Sequence, residues 1–160
     1  MTTREELITG LEMIVREGLR TTKDFGSDDW AMKIHDDEGG GWTRKQIYAH
    51  LTSTAEISPG FLGSLANAQE GQDAGAGFDI GAFNAQQVAA KDNMSPKDLL
   101  EKFKGANDQL VEYVRNMPDE QLQQKRRFGA AEGSVAEIMD SVLVLHGLAH
   151  IYLASTRAFV

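Results

Sequence analysis

Four histidines are the side chains of this sequence best suited to chemistry: His35, His50, His146 and His150. Two of them stand four residues apart in the apolar run Val142–Leu143–Val144–Leu145–His146–Gly147–Leu148–Ala149–His150–Ile151–Tyr152–Leu153. If that run is helical, both imidazoles project from one face on neighbouring turns, and two such nitrogens can reach a single ion. The spacing of Val135, Ile138, Met139, Val142, Leu145, Ala149 and Leu153 places the pair on the apolar, inward stripe. A single core histidine is ordinarily a hydrogen-bonded structural residue; a pair at this spacing raises the case for a metal. Gly147 follows the first histidine where the zinc-protease motif needs Glu, so that motif is absent.

His50 extends the constellation. Ile47, His50, Thr54, Ile57 and Phe61 recur at helical spacing, which predicts that this imidazole also faces the core. Three neutral imidazoles with the remaining positions open form a catalytic rather than a closed structural metal site. Such a site lowers the pKa of a bound water or thiol and polarises a carbonyl. Nitrogen ligation suits zinc or nickel and disfavours magnesium or calcium.

Helices must position these groups. Thr3–Arg4–Glu5–Glu6 fits a capping box, and Leu7, Leu11, Ile14, Val15 and Leu19 carry a first helix to about Thr22, with Gly10 and Gly18 as candidate close-packing positions. Residues 23–42 read as a long irregular loop anchored by Trp30 and Trp42, with His35 inside it. Thr43–Arg44–Lys45–Gln46 opens the second helix, Pro59 predicts a kink or break near Ser58, and the helix continues to about Gln69. After the glycine-rich crossing Gly71–Gly77 a short helix is expected around Phe83–Lys91, with Asn84 as its cap or a pocket residue. Ser95–Pro96 starts the third long helix, which ends at Met117–Pro118. A polar stretch with Lys125–Arg126–Arg127 reads as a solvated loop or, alternatively, a carboxylate-binding group. Ser134–Val135–Ala136–Glu137 opens the last helix, expected to reach about Ala158. The pattern predicts an all-α up-down four-helix bundle, a single domain over residues 1–160, with a long loop between helices one and two and a short extra helix before helix three.

Composition bounds the function. With 160 residues, 41% apolar content and a net charge of -8, the chain suits one core and lacks the basic stripe of a nucleic-acid binder. The same charge argues against docking on an anionic membrane. No cysteine is present, so disulfides, thiolate metal sites and a cysteine nucleophile are excluded, and any thiol chemistry must use a small-molecule thiol. No N-terminal signal region and no uninterrupted apolar run of about 18 residues is evident, which reads as a cytoplasmic protein.

A family resemblance rests on particular residues. Trp42–Thr43–Arg44–Lys45–Gln46–Ile47–Tyr48–Ala49–His50–Leu51 resembles the tryptophan-to-histidine segment in helix two of the DinB/YfiT-like superfamily, which includes the N-terminal metal-binding domain of mycothiol-dependent maleylpyruvate isomerase. His146–Gly147–Leu148–Ala149–His150 is similar to the helix-four pair of that group, and Phe83–Asn84, Val88 and Ser95–Leu100 resemble its middle portion. The likeness runs roughly from Thr3 to Tyr152. It implies a four-helix bundle holding a divalent zinc or nickel ion on His50, His146 and His150. It further implies a low-molecular-weight thiol such as mycothiol or bacillithiol as co-substrate, isomerisation or S-transfer on a small molecule, and a homodimer. The isomerase's additional C-terminal domain is not expected here, because the sequence stops soon after helix four. Glu56 is off the His50 face and not expected as a ligand; Tyr48 and Tyr152 read as packing residues. The competing readings are a metal-dependent transferase, isomerase or hydrolase, a non-enzymatic metal-binding bundle, and a helical dimer whose histidines bind nothing.

Overall fold

The computed structural model describes residues 2–34 and 41–156. Helices dominate because the capping and periodicity signals agree. α1 (Arg4–Thr22) starts at Thr3, whose hydroxyl accepts from the Glu6 amide while the Glu6 carboxylate accepts from the Thr3 amide. α3 (Arg44–Asn67) repeats the device with Thr43 and Gln46, and α5 (Pro96–Asn116) is capped by Ser95 with Pro96 in its first turn. Residues 23–42 are less irregular than the sequence suggests. A five-residue helix, α2 (Ser27–Ala31), is held by the Asp29 carboxylate on the Gly26 amide, and Lys33 pairs with Thr43 in an antiparallel bridge. His35 and the acidic-glycine stretch after it lie outside the described residues.

The last long helix is a rod of three parts. α7 (Val135–Met139) is capped by Ser134, a π-helical turn follows over Asp140–Leu145, and α8 (His146–Ser155) completes it. The rod spans 21 residues and is long and apolar enough to cross a membrane by length and composition, yet it packs inside the bundle against α1 and α3. The π turn admits one extra residue, so the face of the rod rotates relative to a regular helix. From the π turn onward the inward residues are Leu143, Val144, Gly147, His150, Ile151 and Ala154, not the stripe expected from the sequence: Leu145 and Ala149 face outward. Tyr152, expected to pack, is 69% exposed.

The four-helix bundle is built from α1, α3, α5 and the rod, and its internal order is informative. Arg4 at the start of α1 bonds the Arg115 carbonyl near the end of α5, so those two helices run antiparallel. Tyr48 contacts Phe103 and Gly63 lies beside Tyr113, so α3 and α5 run in the same direction. Arg44 at the start of α3 reaches Ala154 at the end of α8, which makes that pair antiparallel. Gly10 meets Val144 and Ile14 meets Gly147, so α1 and the rod are parallel. In chain order the helices run up, down, down, up. Helices α1 and α3 sit diagonally, as do α5 and α8, while α3 packs beside both α5 and α8. Diagonal and parallel steps require long connections, which explains the extended segments between the helices.

Of the kink or break expected near Ser58, no break occurs; α3 continues through Pro59 to Asn67, close to the expected end near Gln69. Only one backbone bond is forfeited there, and burial of Ser58, Leu62 and Leu65 holds the helix on the bundle. The short helix before α5 is α4 (Ile80–Ala89), and its cap is Asp79, whose Oδ1 accepts from the Ala82 amide at 2.9 Å; Asn84 lies inside α4 instead of capping it. The polar stretch after α5 forms α6 (Asp119–Gln123) and an antiparallel hairpin, β1 (Lys125–Phe128) and β2 (Ala131–Ser134), pairing Lys125 with Ser134 and Phe128 with Ala131. The sequence reading held no strand here. Gly129 takes the tight turn with φ +58°, a conformation side-chain-bearing residues rarely adopt.

Candidate metal centre

α3 and the rod carry the site on facing surfaces. His50 is buried to 3% exposure and His150 to 2%, while His146 is part-exposed at the edge. The histidines expected from the sequence do converge. Their rings are 5.4 Å (His50–His146), 4.9 Å (His50–His150) and 4.4 Å (His146–His150) apart, centroid to centroid. One ring nitrogen from each lies within 4.8 Å of the others. His146 Nε2 and His150 Nε2 are 2.9 Å apart, so their nitrogens converge on one point rather than diverging into the core.

The local sequence explains why the helices tolerate this polar cluster. Thr52, Ser53, Thr54 and Ser58 would each bury a hydroxyl on α3. Each hydroxyl instead donates to the carbonyl four residues earlier, at 2.7, 2.9, 3.0 and 2.6 Å respectively. Such back-bonding satisfies the hydroxyl donors within α3 itself, and Ser53 Oγ also accepts from Lys91 Nζ at 2.7 Å. The π turn ends at Leu145, one residue before the first histidine, and helical irregularities of this kind accompany functional sites. No residue-type signal marks it in the sequence.

Arg44 is the framework residue that sequence reasoning missed. It is 3% exposed, its Nε donates to the Ala154 carbonyl and an Nη donates to the Thr156 carbonyl, both at 2.8 Å. The remaining Nη donates to Asp29 at 3.1 Å, and the guanidinium lies 4.6 Å over the Phe25 ring. It therefore ties α2 and the end of α8 to the helix that carries His50. A buried arginine in the first turn of a helix is unusual, and its position six residues before His50 was the available signal.

Other expected residues sort clearly. Trp42 lies against His50, 5.1 Å between rings, whereas Trp30 is a loop anchor stacked edge-on to Phe25 and Tyr48. Tyr48 is a packing residue: its hydroxyl donates to the Gly18 carbonyl at 2.9 Å, and burial pushes the phenol far above its usual pKa. Glu56 is outside the cluster and pairs with Lys91 and Lys102; burial raises its carboxyl, but hydrogen bonds from Lys102 and Lys91 outweigh this and leave it lowered. Arg126 donates to the Leu65 and Ala66 carbonyls at the end of α3, and Arg127 donates to the Gly129 carbonyl, so the basic run serves the hairpin and the helix end. Behind His146, among Leu11, Leu51, Thr54, Ser58 and Asn107, is a cavity of about 20 Å³, room for roughly one water.

The donor set fits a divalent transition metal. It offers three imidazole nitrogens and, among the described residues, no carboxylate joins them, which matches the preference of zinc and nickel over magnesium and calcium. Against known proteins, the sequence profile described as the mycothiol maleylpyruvate isomerase N-terminal domain matches residues 5–148. The chain belongs to that family. The mycothiol maleylpyruvate isomerase N-terminal domain family relates it to the DinB/YfiT-like superfamily, in agreement with the resemblance read from the sequence. No curated protein matches the chain. Among solved structures, the mycothiol-dependent maleylpyruvate isomerase superposes with a TM-score of 0.68 at 12% identity, over 96% of this chain and 59% of the isomerase. A histidine-to-alanine variant of that isomerase superposes with a TM-score of 0.67 at 15% identity, over 91% and 60%. YfiT from Bacillus subtilis, described as a probable metal-dependent hydrolase with an unusual four-helix bundle topology, gives 0.67 at 15% identity, over 95% and 83%. The chain thus spans about three fifths of the isomerase's length, and at these identities the superpositions establish the fold.

Proposed function

We propose that this family member is a metal-dependent enzyme in which His50, His146 and His150 hold one zinc or nickel ion. The observation that carries the reading is the approach of three ring nitrogens to within 4.8 Å of one another, from helices almost a hundred residues apart in sequence. The substrate is a small molecule and the reaction a thiol-dependent S-transfer or isomerisation, the co-substrate being a low-molecular-weight thiol, since the chain has no cysteine of its own. The ion supplies Lewis acidity that favours the thiolate over the thiol near neutral pH. The chain's own residues orient it. Trp42 packs on His50 and limits the rotation of that ring, and Arg44 fixes the end of α8.

In the transfer, the thiol proton passes to solvent, the sulfur forms a bond to an electrophilic carbon, and the leaving group departs with its electron pair. In the isomerisation, the sulfur adds to a carbon and is later expelled from it. The reading includes a cytoplasmic homodimer, a single domain over residues 1–160, and no contact with nucleic acid or membrane. A metal-dependent hydrolase is the second reading, favoured by the description of YfiT, 83% of whose length is matched by this chain. A non-catalytic metal-binding bundle is the third.

The test is metal analysis of protein purified without a histidine tag, followed by a screen of thiol-transfer and hydrolysis reactions with and without the ion. About one zinc or nickel per chain and a metal-dependent thiol reaction support the first reading. Metal-dependent turnover that needs no thiol supports the hydrolase. Bound metal with no turnover in either screen supports the structural module, and protein that takes up no metal rejects all three.

A further inference from the structure

Resting on the proposed metal site, the charge of its walls restricts what can approach it. α3 and the rod, the two elements that carry the histidines, contain only two cationic side chains, Arg44 and Lys45; the rod has none. Arg44 is committed to the Ala154 and Thr156 carbonyls and to Asp29. Lys45 Nζ donates to the Asp92 carbonyl at 2.7 Å, away toward the end of α4. The hairpin that flanks this face through the Phe61–Phe128 contact, 4.7 Å between rings, directs Arg126 to the end of α3 and Arg127 to its own turn. Among the described residues, no cation from these elements is left to meet a substrate carboxylate.

Exposed apolar residues share the helix faces of the histidines. Ile57 follows His50 two turns later on the same face of α3 and is 38% exposed. Ala149 and Leu153 lie three and seven residues after His146 and share its side of α8, with Ala149 exposed and Leu153 part-exposed. Trp42 closes the His50 side. Exposed apolar groups beside a polar cluster are a feature of binding clefts, where a few polar atoms orient a ligand and apolar walls bind its body.

We infer that this site takes an uncharged, apolar electrophile, and that it disfavours di-anionic substrates such as maleylpyruvate, which brings two carboxylates. From α3, the rod and the hairpin no cation is free at this face, so the positive charge these elements would offer is that of the ion, which the thiolate would occupy. A further anionic group on a tail running from the ion along α3 would meet Ile57, with no cation of α3, the rod or the hairpin to pair with it, a costly arrangement.

The test uses the full chain loaded with cobalt(II) and three hydroxamates that share one metal-binding group: acetohydroxamate, octanohydroxamate, and the eight-carbon hydroxamate whose far end is a carboxylate. Binding is read from the visible cobalt spectrum. Each buried methylene is worth about a fourfold gain in affinity, so octanohydroxamate should bind at least about tenfold tighter than acetohydroxamate, even if much of the tail stays wet. The terminal carboxylate should remove about tenfold or more. Ile57→Lys, at an exposed position that leaves the core intact, should bring the carboxylate tail to parity or better. A carboxylate tail that binds as tightly as the methyl tail in the unmodified chain overturns the inference, as does an Ile57→Lys variant with an unchanged ratio. Failure of the metal reading looks different: cobalt is not bound, or its spectrum survives His50→Ala, and then both readings fall.

Discussion

Val144 rests on Gly10 so closely that a Cβ added to that glycine would lie 2.6 Å from Val144 Cγ1. Val144 belongs to the π turn that rotates His146 and His150 toward His50, so the contact with α1 seats the part of the rod that aims the pair. Gly10→Ala gains helix propensity of about 1 kcal/mol but overpacks a branched side chain at a cost of about 1–3 kcal/mol. The valine cannot swing clear, because its branched Cβ holds one rotamer in a helix. Net destabilisation of about 1–2 kcal/mol is expected in urea titrations, with Val144→Ala in the same chain recovering part of it. An unchanged midpoint would show that the rod is not seated on Gly10.

Removal of any one proposed ligand should separate metal binding from folding. His50→Ala, His146→Ala and His150→Ala are each expected to weaken zinc or nickel binding by about 100-fold or more, since each deletes one of three donors. Far-UV circular dichroism should remain helical, because the bundle core is independent of the cluster. Equilibrium dialysis with metal analysis decides; a variant that retains the parent affinity removes that histidine from the ligand set.

Arg44 offers a test of how the framework supports the site. Arg44→Met keeps the stem but strands the Ala154 and Thr156 carbonyls, and charge-assisted bonds of this kind are worth about 1.5–3 kcal/mol each. A loss of about 2–3 kcal/mol in chemical denaturation is expected, because water can reach the end of α8 and recover part of it. Metal affinity should fall as well, since the helix end is no longer tied to α3. A destabilised variant with parent metal affinity would confine Arg44 to stability.

Glu56 makes stability depend on pH in a defined direction. Its carboxyl is lowered from 4.5: burial raises it, and the hydrogen bonds from Lys102 and Lys91 overcome that. A lowered folded value stabilises the fold above the unfolded pKa, and the contribution vanishes as pH falls through the folded value. Glu56→Gln should therefore lower the melting temperature at pH 7, with the gap to the parent narrowing below about pH 4.5. The group is substantially exposed, so an effect of about 1 kcal/mol or less is expected. A gap that stays constant down to pH 3 would rule out the ion pairs as its cause.

Much of the bundle was legible because its signals are local. The Thr3, Thr43, Ser95 and Ser134 caps are sequence patterns whose hydrogen bonds close within four residues, and all four sit where they were expected. The hairpin at Lys125–Phe128 was not legible, since four-residue strands of charged residues carry no alternation strong enough to read. Asp79 displaced Asn84 as the cap of α4 because both are capping residues and only the fold selects one. The exposure of Leu145 and Ala149 departs from the expected stripe for one reason: the apolar spacing is that of a regular helix, and the π turn shifts the face by a residue.

The residue types, their capping and their apolar periods determined the four helices, the absence of any internal thiol, and the three histidines as candidates, because each depends on neighbours close in sequence. Tertiary structure alone decided that α3 and the rod lie side by side and antiparallel, that the π turn carries His150 inward beside His50, and that Arg44 is spent on the end of α8. Helix order in a bundle is set by packing between surfaces distant in sequence, where many arrangements share the same periodicity and differ only in how their side chains fit.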